Sequence, residues 1–306
     1  MAITASMVKE LREVSGAGMM DCKKALTETN GDMEKAVEFL REKGLAKAAK
    51  KAGRVAAEGL VATNISADGK VASIVEVNSE TDFVAKNETF RSYVNAVASQ
   101  AASTNATDIE GFLAEPWALA PEKTVSEELA SQIAVIGENM NIRRFEKITT
   151  DGFVESYIHG GGRIGVLVEF EGEANDATRE CAKNVAMQVA AISPKYVDRS
   201  EVSEEYMAHE KEILKVQAMN ENPDKPENII EKMIIGRLNK ELKEVCLVDQ
   251  VYVKDGDLTV GKYIDSVAKA AGVKLAVKRF VRFETGEGIE KKEENFAEEV
   301  AKQMGM

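Results

Sequence analysis

Side chains able to do chemistry are few in this chain, and their spacing assembles no catalytic group. Only two histidines occur, His159 and His209. The first falls in a glycine-rich turn; the second sits among Glu204, Glu205, Glu210 and Glu212 on a helical stretch. Neither has a cysteine at zinc-ligand spacing, and no serine stands in a strand–turn–helix elbow that would expose a nucleophile. Cys22, Cys181 and Cys246 are odd in number and far apart, which fits idle thiols in a reducing cytosol and not a disulfide framework. Two glycine patterns invite a phosphate-binding reading. Gly160-Gly161-Gly162-Arg163-Ile164-Gly165 matches GxGxxG, but that fingerprint needs a helix N-terminus after the glycines, and here a strand-like run follows. Residues 256–263 carry GxxxxGK between a strand and a helix. There, Tyr263 occupies the place of the Ser or Thr that would ligate magnesium, and Asp257 puts negative charge into the anion nest. Thr259 capping the next helix explains that segment more simply.

The remaining chemistry is that of binding. Residues 78–86, Asn-Ser-Glu-Thr-Asp-Phe-Val-Ala-Lys, follow an alternating strand and precede a helix. Phe83 stands in the middle of the crossing, where solubility alone would not place an aromatic ring. It either tucks onto its own core or is a knob offered to a partner, with Asp82 beside it as a polar guide. Met19 and Met20 pose the same choice. Adjacent helical residues point about 100° apart, so a minimal bundle cannot bury both, and methionine adapts well to contact surfaces.

The elements that must position these residues fall into an α+β pattern. Residues 1–54 read as a three-helix domain. Helix one runs near 4–14 with Thr4 or Ser6 as N-cap, and helix two covers 19–29 and stops at Asn30-Gly31. Helix three is capped by Asp32, faces inward with Met33, Ala36, Val37 and Leu40, and ends at Gly44; a basic linker follows over 45–54. So thin a core is expected to rest on a neighbour. Residues 61–77 and 154–170 then align without gaps at an offset of 93, Val75-Glu76-Val77 lying against Val168-Glu169-Phe170. Each copy reads as a β-hairpin leading into an Ala/Val-rich helix, near 88–103 and 177–193. The chain is therefore expected to hold two related antiparallel-sheet-plus-helix units, 55–147 and 148–200 with 245–285. The loop after the second hairpin has no aromatic, so the architecture does not itself require Phe83. Helices near 201–220 and 226–244 place Ile230, Met233, Ile234, Leu238 and Leu242 close to an a/d seam and read as a projecting helical hairpin, a coiled coil. Strands near 248–253 and 274–284 enclose a helix near 259–271, and a C-terminal helix is expected over 291–304 in the module 286–306.

Composition bounds the function. The chain has 306 residues, 44% hydrophobic and 30% charged, with a net charge of −12. That balance argues against a surface built to grip phosphates and hence against direct nucleic-acid binding. No apolar run reaches the ~18 residues needed to span a bilayer, and the N-terminus has neither a signal-peptide nor a transit-peptide pattern, so a cytoplasmic protein with no membrane partner is expected. Charge is uneven: seven Glu face only Lys291 and Lys292 over 284–299, whereas 41–54 holds six Lys/Arg and one Glu. Both read as solvated faces.

Several long stretches carry a resemblance. LREVSGAGMMDCKKAL at 11–26, NGDMEKAVEFLREKG at 30–44, KAAKKAGRVAAEG at 47–59, EVNSETDFVAKN at 76–87, GENMNIRR at 137–144, HGGGRIGVLV at 159–168 and RFETGEGIEK at 282–291 resemble the bacterial translation elongation factor Ts family, in order and over nearly the whole chain. The resemblance implies a ubiquitin-associated-like bundle, a two-part core, a coiled-coil protrusion and a C-terminal module. It implies a guanine nucleotide exchange factor for elongation factor Tu, not an enzyme and without a cofactor, in which Thr81, Asp82, Phe83 and Val84 drive magnesium from the partner's nucleotide site. Met19, Met20 and Lys23 match bundle contacts to the partner, and His159 matches a contact from the second core unit. This sequence has an extra glycine beside His159 and an extra segment around 114–123, read as a surface elaboration. The alternatives are a ubiquitin-associated-type scaffold, a phosphate-loop enzyme, or a ribosome or RNA binder acting through 41–54 with a steep salt dependence. Homodimer formation through the helical hairpin is left open.

Overall fold

A computed structural model describes residues 3–15 and 17–290. Three helices open the chain: α1 (Ala5–Ser15), α2 (Met19–Glu28) and α3 (Met33–Lys51). Thr4 Oγ1 accepts from the Met7 amide at 3.3 Å, and Asp32 accepts from the Lys35 amide at 3.1 Å. These caps serve amides that a helix start leaves without partners. Asn30 and Gly31 take positive φ of 54° and 84°, and the Gly31 amide returns to the Leu26 carbonyl at 2.8 Å, closing α2. Leu11, Cys22, Ala25, Leu26 and Ala36 make the small core.

The first core unit follows. Strands β1 (Glu58–Ile65) and β2 (Val71–Ser79) form the expected hairpin. Helices α4 (Asp82–Lys86), α5 (Glu88–Ser103) and α6 (Ile109–Ala114) come next. A short hairpin, β3 (Pro116–Trp117) and β4 (Ala120–Thr124), leads to α7 (Val125–Ile136) and β5 (Met140–Thr149). The sheet order is β1-β2-β5. The second unit has β6 (Phe153–His159), β7 (Ile164–Gly172) and α8 (Asp176–Ile192). The helical hairpin α9 (Glu204–Glu221) and α10 (Glu227–Val245) interrupts it. It resumes with β8 (Val251–Tyr252), β9 (Asp255–Thr259), α11 (Val260–Ala271) and β10 (Leu275–Glu284). Its sheet order is β10-β7-β6.

Strand alternation decides the layers. Val75 and Val77 of β2 pack with Phe90, Val94 and Val97 of α5. Val166, Val168 and Phe170 of β7 pack with Cys181, Val185 and Val189 of α8. The opposite faces meet each other: Val61, Ala72, Ile74 and Ile148 of the first sheet against Val154, Leu167 and Phe283 of the second. The core is thus helix, sheet, sheet, helix, an α+β architecture. In the protruding hairpin, Ile230, Ile234, Leu238 and Leu242 of α10 bury against Leu214 and Ala218 of α9, with Met233 partly covered. That is the expected seam.

Three expectations need correction or limits. Gly44 does not end α3, which runs on to Lys51, so most of the supposed linker is helix. The Ala/Lys-rich stretch after Gly44 tolerates one interior glycine at about 1 kcal/mol. Gly44 is buried against α7, where an added Cβ would lie 3.8 Å from that of Ala134; the residue marks a close approach of two helices, the resting place the thin bundle needs. The strand expected near 248–253 is a 3₁₀ turn, Leu247–Asp249, followed by the two-residue β8. The terminal helix over 291–304 lies outside the described residues.

The segment at 114–123 is also misread as a surface elaboration. Trp117 is 4% exposed and belongs to the first core. The segment is one half of a second repeat at an offset of 135, in which Trp117 matches Tyr252, Thr124 matches Thr259 and Gly137 matches Gly272. Both threonines cap the next helix, and both glycines close it in the left-handed conformation. Gln100 donates to the Pro116 carbonyl (3.2 Å) and accepts from the Ala118 amide (2.8 Å). Gln188 does the same with the Val251 carbonyl (3.1 Å) and the Val253 amide (2.8 Å). Glu76 and Glu169, both buried on their central strands, each face two consecutive cations delivered by a bulge in the neighbouring strand. Arg143 and Arg144 reach Glu76 at 3.1 and 2.6 Å; Lys278 and Arg279 reach Glu169 at 2.9 and 2.7 Å.

Candidate partner-binding site

Helix α4 is a single turn that leaves β2 by way of Thr81. The Thr81 hydroxyl accepts from the Val84 amide at 3.4 Å and starts the turn. A second bond pair fixes the cap itself: Glu138 accepts the Thr81 amide at 3.0 Å and the Thr81 hydroxyl at 2.7 Å. Glu138 follows Gly137, whose φ of 91° ends α7, so the turn after α7 carries the carboxylate to α4. The residues either side repeat the motif. The Asn139 amide donates to Glu80 at 2.5 Å, and Arg54 donates to Glu80 at 3.3 Å.

A one-turn helix can bury only one face. Val84 is that face, packed into the first core. Phe83 therefore points away and is 79% exposed. The Lys86 ammonium lies 5.8 Å from the ring centroid and 2.6 Å from the Asp82 carboxylate. That hydrogen bond holds the Asp82 carboxyl below its ordinary range. Asp82 is thus an ionised group beside an exposed ring, already engaged with Lys86.

On the bundle, Cys22, Ala25 and Leu26 occupy the inner face of α2. Met20 and Lys23 fall outside that stripe, whereas Met19, three residues before Cys22, continues its line at the helix start and is still exposed. Met19 is 58% and Met20 75% exposed, and Lys23 is exposed as well. Neither methionine is core. Asp21, which follows them, is anchored to Lys43 and Lys47 of α3 at 2.5 and 2.9 Å, and the bond to Lys43 above all lowers its carboxyl pKa.

His159 ends β6, exposed, with the Tyr157 hydroxyl 3.0 Å from its Nδ1. The glycines after it form a turn with φ of 58°, 68° and 110° at Gly160, Gly161 and Gly162. This turn lies on the first unit: the Val61 amide donates to the Gly162 carbonyl at 2.7 Å, and a Cβ on Gly162 would meet Leu60 Cδ2 at 2.6 Å. Arg91, in the first turn of α5, reaches the Gly161 carbonyl at 3.4 Å. The His159 turn and the Phe83 helix are therefore both held at the start of α5. The bundle is tied to the first unit through Arg41 to Glu127 and, beside the α4 cap, through Lys51 to the Gly137 carbonyl.

The second glycine pattern has no phosphate cradle either. Residues 256–259 are strand β9, Thr259 caps α11 by accepting from Lys262 (3.3 Å), and the Tyr263 ring stacks on Tyr252 at 4.4 Å. Among the described residues no group of three His, Cys, Asp or Glu side chains is placed to hold a metal ion. Among the same residues no helix is long and apolar enough to cross a membrane. The arrangement leaves an exposed apolar ring on a hydrogen-bonded mount, with Met19, Met20 and His159 exposed elsewhere. Sequence reasoning missed the mount, Glu138, whose part shows only when the turn after α7 meets Thr81.

A family profile described as Elongation factor TS matches residues 80–287. The chain belongs to the elongation factor Ts family. Elongation factor Ts of Clostridioides difficile (strain 630) is 61% identical over 303 residues, covering 99% of both chains. The namesakes from Clostridium novyi (strain NT) and Clostridium tetani (strain Massachusetts / E88) are each 58% identical over 304 residues, again 99% of both chains. The chain is thus a translation elongation factor by family. The profile begins at Glu80, the residue before the α4 cap, and the alignment with the elongation factor Ts relatives also takes in the bundle that precedes it.

Proposed function

We propose that the chain is a guanine nucleotide exchange factor that binds elongation factor Tu with GDP, displaces its magnesium and promotes GDP release in the cytoplasm during elongation. Exposure of Phe83 on a helix whose cap is fixed is the observation that carries this reading. A factor that binds the empty partner more tightly than the loaded one must weaken nucleotide by the same ratio. Favouring the empty state about 10⁴-fold takes roughly 5.5 kcal/mol of differential binding, and burying one phenylalanine contributes only about 2–3 kcal/mol. Phe83 acts as the wedge near the metal site, with Asp82 bonding beside it. Met19, Met20 and Lys23 on the bundle and His159 on the second unit supply the rest of the grip. No covalent step is needed, so the chain works as a binding protein and not as an enzyme.

The test is release of labelled GDP from purified elongation factor Tu with and without the full chain. Phe83→Ala slows stimulated release at least about tenfold, the scale of an interface hot spot, with an unchanged melting temperature. Full stimulation by that variant would refute the wedge. A scaffold acting through 1–54 alone would give no stimulation at all, and a phosphate-loop enzyme would bind labelled nucleotide itself.

A further inference from the structure

We propose that Glu138 is the positioning residue of Phe83. This rests on the exchange reading above. Three observations converge on it. One carboxylate takes both donors of Thr81, the amide and the hydroxyl, so it fixes the cap in position and in rotation. The same hydroxyl caps α4 through the Val84 amide, and Phe83 is the next residue back, with most of its ring free of the core. The Lys86 ammonium lies 5.8 Å from the ring centroid. The direction in which the ring leaves the molecule is therefore set by the cap, and the cap by Glu138. Its neighbours extend the role: Lys51 donates to the Gly137 carbonyl, and Asn139 Nδ2 donates to the Arg54 carbonyl at 2.8 Å. The end of α3 and the start of α4 thus share one mount, and the bundle and the wedge approach a partner in fixed register.

A group placed a fraction of an ångström from its productive geometry loses much of its effect, and Glu138→Gln exchanges a charged acceptor of two bonds for a neutral one that accepts through a single oxygen. Release of fluorescent GDP from elongation factor Tu is measured against concentration of the full-length variant. The expected result is a maximal stimulated rate reduced about tenfold, a half-maximal concentration within about twofold of the parent, and no further slowing when Glu138→Gln is added to Phe83→Ala. Amide exchange over 81–86 should rise while β2 and α5 stay protected. Glu138→Asp, which keeps the charge but shortens the reach, guards against a folding defect and should show the same loss. A normal maximal rate in both Glu138 variants overturns the proposal, and so do losses that multiply in the double variant. Normal stimulation by Phe83→Ala alone sinks the exchange reading instead, which separates the two failures.

Discussion

Glu76 lies at the centre of a sheet with no exposed surface, yet its environment favours the charged form. Burial alone would raise its carboxyl pKa; the Gly286 amide, Asn78 and the two arginines outweigh burial and hold it below the ordinary range. Its contribution to stability is therefore present above the unfolded carboxylate value, about 4.3, and is lost as pH falls through the lower folded value. Removing one member of such a cluster leaves two cations facing a neutral group. Glu76→Gln should cost on the order of 3 kcal/mol, below the upper range because both arginines reach solvent. Urea unfolding at pH 7 checks the magnitude. The gap between variant and parent should narrow at pH 3, and an unchanged gap would place the stabilisation elsewhere. At this scale the sequence was half legible. The pattern around 76 and 169 was visible as a repeat, but the cations are 67 or more positions away along the chain, and only the folded sheet brings them in. Phe83 was legible because an aromatic in a polar crossing is anomalous by itself. Glu138 was not, because one carboxylate among 52 acidic residues carries no local mark.

Helix α3 and the His159 turn give opposite lessons about glycine. Gly44 is helical, and an added methyl would sit at ordinary contact distance, 3.8–3.9 Å from α7. Gly44→Ala should stabilise the chain by about 0.5–1 kcal/mol, read as a higher melting temperature. A loss instead would show that the α3–α7 approach has no slack. Gly162 combines φ of 110° with a Cβ position 2.6 Å from Leu60, so Gly162→Ala should cost about 1–3 kcal/mol and displace the His159 turn. A melting temperature equal to the parent's would show that the turn relaxes freely. The same contrast explains what sequence could say about elements. Both hairpins, both covering helices and the α9–α10 seam were read correctly because alternation and helical periodicity are local. The end of α3 was not, since a glycine that stops a helix and one that admits a neighbour look alike until the neighbour is in place. Trp117 was mistaken for decoration because its counterpart, Tyr252, lies in a stretch with little identity.

As a whole the molecule presents separate exposed apolar groups on one framework, Met19 and Met20 on the bundle and the α4 ring. If the first supplies affinity and the second acts on the nucleotide site, the two should divide kinetically. Met19→Ala with Met20→Ala should raise the half-maximal concentration for exchange about tenfold or more and leave the maximal rate nearly unchanged, whereas Phe83→Ala should lower the maximal rate. A titration of stimulated release against concentration decides it; equal effects of both variants on the maximal rate would mean that the faces do not divide the task.

The two halves of the core also differ in how much chain each spends between its covering helix and its small hairpin. The second half accommodates α9 and α10 there without disturbing the Gln188 clamp; the first has only the exposed positions Asn105, Thr107 and Asp108 leading into α6. The framework therefore already tolerates a long excursion at that junction. A spectroscopic reporter domain spliced in after Asn105 should fold as a guest, read as a melting temperature of the host equal to the parent's.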